Sequence, residues 1–157
     1  MGPAHLAVGL VARPLAPKAP LGAILLATEL TDILWGVFTL ARLDGVGFAP
    51  WSHGLLTSAI WSGLAGLASG RVYRDKRTGA VIGLLVFSHW VLDFISHPMQ
   101  PNTAPDLPLA FAGSPKVGLG LYGALGRRAA AVELGLLVLG IATYLVTRRR
   151  TIVPVRG

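Results

Sequence analysis

The sequence predicts an all-α, polytopic helical membrane protein. Four transmembrane helices follow an N-terminal half-helix, in a single integral membrane domain over residues 1–157. Three observations support this. Hydrophobic residues make up 53% of the chain, and mean hydropathy is +0.62. Charged residues make up 13%, roughly half the share of about 25% usual in soluble domains. Four apolar stretches approach the roughly 20 residues a helix needs to cross a hydrocarbon core. A lipid-exposed open sheet is excluded, because its backbone groups would go unsatisfied there.

In chain order, Ala4–Ala12 is apolar but too short to span. No cationic residue precedes it, so it reads as a half-helix packed in the bundle rather than as a cleaved signal. The spans follow at 21–41, 51–70, 79–95 and 129–147. Gly66 with Gly70, and Gly79 with Gly83, give the GxxxG spacing of close helix packing. The connection 96–128 is rich in Pro and Gly, a structureless loop of the kind that is functional or mobile. Its Gly118, Gly120 and Gly123 make a formal GxGxxG. No strand precedes it and no acidic ribose partner follows at the right distance, so it is not a dinucleotide site. The absence of cysteine excludes a disulfide scaffold and a zinc ribbon.

The net charge of +7 collects at span ends. Arg13, Lys18, Arg71, Arg74, Lys76, Arg77, Arg148, Arg149, Arg150 and Arg156 fall on one side; Arg42, Lys116, Arg127 and Arg128 fall on the other. That bias puts both termini in the cytoplasm. Charge so placed is not a nucleic-acid surface, and the expected partners are membrane lipids.

Four of the seven acids, Glu29, Asp32, Asp93 and Glu133, lie inside predicted spans, with His53 and His89, and with His97 at an edge. Ionisable groups in a bilayer cost several kcal/mol each and mark functional interiors. His89, Asp93 and His97 stand at four-residue intervals, which stacks them on one helical face about 5–6 Å apart. Imidazole and carboxylate at that spacing hold one divalent cation, or two if the carboxylate bridges. The alternative is a His–Asp hydrogen bond that ties helices together. Depth favours the metal. At about 1.5 Å per residue from the cytoplasmic edge, Asp32 lies about 17 Å in, His89 about 15 Å and His5 about 12 Å. His5, Asp32, His53, His89 and Asp93 are therefore the candidate ligands, His5 as a candidate for a second site. Glu29 is a partner orienting a ligand His, a general base or a plain packing contact, and His97 is the other candidate for handling the proton. With nitrogen and oxygen donors alone, zinc leads over manganese, iron and nickel. Ser52, Ser88 and Ser96 each precede a histidine, but adjacent helical residues point about 100° apart, so none of these pairs is expected to act as nucleophile and base on its own helix.

The order His5, Asp32, Ser52-His53-Gly54, then Ser88-His89-Trp90-Val91-Leu92-Asp93, resembles the YdjM-like family of inner-membrane metal-dependent hydrolases. It is distantly similar to the zinc phospholipase C and nuclease superfamily. Phe87–Pro98 and Ser114–Leu121 also resemble stretches of short bacterial membrane proteins sometimes labelled permeases. The family's Pro-Asp-x-Asp-His element is here Glu29-Leu30-Thr31-Asp32, and no His-Arg-Gly precedes Ser52. The resemblance implies a hydrolase of the bacterial inner membrane that acts on a lipid or phosphoester. Two other readings use the same residues. One is a transporter or ion-conducting protein with an intramembrane His/Asp pathway, which would need a homo-oligomer because four spans make a thin bundle. The other is a non-catalytic structural membrane protein.

Overall fold

A computed structural model describes residues 2–42 and 50–152; its regular structure is helical apart from one hairpin of two-residue strands in the connection 96–128. The half-helix α1 (Ala4–Ala12) buries a narrow face of Ala4, His5, Ala7, Gly9 and Leu10. It packs on the long C-terminal helix α8 (Arg128–Ile152), where a Cβ added at Gly140 would lie 2.8 Å from the Ala7 Cα. Glu133 of α8 holds the start of α1: Gly2 N–H donates to its Oε1 at 3.2 Å and Ala4 N–H to its Oε2 at 3.4 Å. The first N–H groups of a helix have no intrahelical partner, so this carboxylate caps α1 from outside. Glu133→Ala is expected to lower stability by about 1 kcal/mol, the usual worth of an N-cap. Amide exchange should then accelerate in α1 and not in α8.

The expected span at 21–41 is two helices, α2 (Leu21–Thr28) and α3 (Leu30–Leu40), bent by 62° at Glu29. The Thr28 hydroxyl donates to the Leu25 carbonyl at 2.8 Å, and such back-bonding bends helices. The span at 51–70 is also broken. The short α4 (Pro50–His53) turns at Gly54 into α5 (Leu55–Val72), and Thr57 Oγ1 donates to the Pro50 carbonyl at 2.6 Å across the turn. A Cβ at Gly54 would sit 2.6 Å from that same carbonyl. The third span matches α6 (Lys76–Ser96). Asp75 caps it, accepting from the Thr78 hydroxyl at 2.5 Å and the Thr78 N–H at 2.8 Å. Those two bonds hold the Asp75 carboxyl below its ordinary range.

Among the described residues, α6 and the Arg128–Arg149 part of α8 are long and apolar enough to cross a membrane. The bent α2–α3 pair adds a third crossing if it is one span. The 18-residue α5 falls short of that apolarity, diluted by Ser58, Ser62, Ser69 and Arg71. Arg156, one of the orienting basic residues, lies outside the described residues, as does the Arg150 side chain.

The connection 96–128 is structured. Strands β1 (Leu107–Pro108) and β2 (Lys116–Val117) pair antiparallel, and α7 (Leu121–Leu125) follows. Its glycines serve packing. A Cβ on Gly118, at φ +152°, would collide with the His97 carbonyl oxygen, and one on Gly123 would lie 2.9 Å from the Gln100 carbonyl. Ala16, Ala19, Ile24 and Ala27 pack on Ile82, Leu85 and Val86 to form the apolar core, which presses α2 against α6 below the polar cluster.

Candidate metal centre

Each local break described above delivers one polar side chain to the same place. The four-residue spacing on α6 puts His89 and Asp93 on one face, both fully buried. The bend at Glu29 aims Asp32, in the first turn of α3, at that face. The turn at Gly54 ends α4 on His53, which points inward. Four ligand atoms result. His53 Nε2 lies 3.0 Å from Asp32 Oδ1 and 3.6 Å from Asp93 Oδ2. His89 Nε2 lies 3.4 Å from each of the same two oxygens. A tetrahedral zinc ion with bonds of about 2.0–2.1 Å sets its ligands about 3.3–3.4 Å apart. The four separations straddle that value; His53, His89 and Asp93 form one set whose atoms lie within 4.8 Å of one another, and Asp32 joins it through the two histidines.

The hydrogen bonds behind the two histidines fit the same reading. His89 Nδ1 donates to the Thr28 carbonyl at 2.7 Å. Thr28 is the last residue of α2, and the carbonyls of a helix's last turn have no intrahelical partner. A carbonyl only accepts, so a proton sits on Nδ1 and Nε2 is left to face two carboxylates. Such a grouping holds together through a cation between its members or through a second proton on the ring. His53 Nδ1 lies 2.9 Å from Ser52 Oγ, which again leaves Nε2 for the centre. Ligand histidines almost always engage their second nitrogen in this way.

Ser52 corrects a sequence expectation. Adjacent residues in a continuous helix diverge, but α4 is a single turn that ends at His53, and the pair meets. Ser52 is completely buried, so it orients His53 rather than meeting a substrate. His97 caps the C-terminus of α6, where its N–H still donates to the Asp93 carbonyl at 2.7 Å. Its ring Nδ1 meets Asp106 Oδ2 at 3.2 Å. His5 does arrive, its ring stacked on that of His89 at 3.7 Å between centroids. Glu29 comes with it: one donor atom each from His5, Glu29, Asp32 and His89 lies within 4.8 Å of the others. Asp32, 36% exposed, and half-buried Glu29 form the open edge of an otherwise buried cluster.

Sequence reasoning missed two participants. Thr28 acts through its backbone, which no residue pattern advertises. Asp106 stands in a Pro-rich segment with no periodicity to place it. Comparison with protein-family models, curated proteins and solved structures finds no match to the chain, so the centre is read from its own geometry.

Proposed function

We propose that the chain is a membrane-embedded metal-dependent hydrolase acting on a lipid phosphoester, with one zinc ion held by Asp32, His53, His89 and Asp93. The observation that carries the reading is the square of ligand separations from 3.0 to 3.6 Å around His53, Asp32, His89 and Asp93. When bound, a divalent ion polarises a phosphoryl oxygen and acidifies water toward a pKa of about 7. The chain's own residues supply the rest. Asp93, buried on every side, fixes the two histidines that face it. Asp32 lies at the open edge, where a headgroup phosphate arrives. Glu29, beside it, is placed to take the proton from the attacking water. His97 is displaced from that role by its pairing with Asp106. The localisation that goes with this reading is the bacterial inner membrane, with both termini cytoplasmic.

The test is elemental analysis of untagged protein in detergent, followed by phosphate or alcohol release from phospholipid vesicles. Zinc near one equivalent or more, with hydrolysis lost on chelation and restored by zinc, supports the reading. Metal-free protein that carries a proton or cation flux in proteoliposomes replaces it with the transport reading. Chelation should also lower thermal stability. A ligand at 1,000 times its Kd stabilises the folded state by about 4 kcal/mol, and stripping the ion forfeits that. A melting curve unmoved by chelator and by added zinc would leave the cluster as a packing network.

A further inference from the structure

We infer that the centre is built for two ions, with Asp93 as the bridging carboxylate and His5 and Glu29 as ligands of the second. The inference rests on the one-ion reading above and adds to it. Asp93 divides its oxygens: Oδ2 faces His53 and His89, whereas Oδ1 faces His5 Nε2 at 3.6 Å. That separation is in the range of the first set and points the other way from the same carboxylate.

His5 itself calls for a partner. It is 1% exposed, and among the described residues neither ring nitrogen makes a hydrogen bond. A buried imidazole left in that state loses its hydration with nothing in return. The ring stack supplies a second, independent observation. His5 and His89 lie nearly parallel, 11° apart, with centroids 3.7 Å apart. Parallel imidazoles that ligate in their own planes address positions offset by about the ring separation. Two-metal centres hold their ions about 3.5–4 Å apart. One ion cannot take both rings in this arrangement without tilting one of them, whereas two ions take both as they stand.

His89 cannot serve both positions, because its Nδ1 is committed to the Thr28 carbonyl. The second set is therefore His5, Glu29 and Asp32, which each offer an atom within 4.8 Å of the others, with Asp93 Oδ1 reaching it through His5 at 3.6 Å. Glu29, the proton acceptor of a one-ion centre, becomes a ligand in this state. The second position lies at the partly exposed edge that Glu29 and Asp32 form. It is thus the position that meets a substrate phosphate, and the deeper ion is the anchor.

The experiment uses full-length, untagged protein, stripped with chelator and titrated with zinc, and separately with Mn(II) for paramagnetic resonance. The expected result is two zinc equivalents per chain and an exchange-coupled Mn(II) pair. His5→Gln and Glu29→Gln should each reduce the stoichiometry to one and abolish the coupling, with helix content unchanged. Wild-type saturation at one equivalent, with an isolated Mn(II) signal, overturns the second ion and leaves the one-ion reading standing. Two uncoupled Mn(II) ions, or two equivalents retained in His5→Gln, overturn it by placing the second ion elsewhere. No bound metal at all overturns both readings together.

Discussion

Asp93→Asn is expected to empty the centre while the protein still inserts and folds. The amide keeps the shape of the carboxylate but removes the charge that offsets a divalent cation, and Asp93 faces His5, His53 and His89 at 3.4–3.6 Å. Loss of a partner behind a ligand already costs metal affinity about 10–100-fold, so loss of a shared ligand should exceed about 100-fold. Zinc content after gel filtration, beside a circular dichroism spectrum, reads the two consequences separately. If Asp93 merely ties α6 to its neighbours, the amide preserves a hydrogen bond to His89 and the metal content does not change. Full occupancy in the variant would refute the ligand role.

The second large effect is structural. Gly79→Leu should unseat α5 from α6. A Cβ at Gly79 would lie 2.6 Å from the Gly66 carbonyl oxygen and 2.8 Å from the Gly70 Cα, both backbone atoms that cannot rotate away. Overpacking a fitted core costs about 1–3 kcal/mol, and a clash with backbone belongs at the top of that range or above it. Gly63 is the control. Nothing lies within 4 Å of its Cβ position, so Gly63→Leu should melt close to wild type. Thermal unfolding in detergent compares the two, and equal melting temperatures would show that the glycine contact is not where α5 and α6 meet. Because α6 also carries His89 and Asp93, the Gly79 variant should lose metal together with stability.

Much of this was legible in the sequence, for reasons that also explain what was not. The four-residue interval from His89 to Asp93 specifies a shared helical face, and α6 is continuous through both. The GxxxG pairs predict close contact, and Gly66 and Gly79 do approach through backbone atoms. Depth counting also brought His5, Asp32 and His89 to one level, which requires only the helical rise. Spacing failed wherever the helix ended. Hydropathy integrates over a window, so 21–41 and 51–70 each read as one apolar run although Glu29 and Gly54 break them. The same blindness kept Ser52 away from His53, because it assumes a helix that continues past a single turn. Glu133 looked like a member of the polar band because depth says nothing about direction. Its partners turned out to be the N–H groups at the start of α1.

The bend at Glu29 has one more effect. Most histidines that must present a chosen nitrogen are held by a neighbouring side chain, and a single codon change can remove that hold. His89 is held by the Thr28 carbonyl, an atom every amino acid possesses. No replacement at position 28 deletes it. The chemistry of the centre is therefore insured against drift in residue identity and exposed only to drift in the path of the chain. What inheritance has to preserve there is a corner.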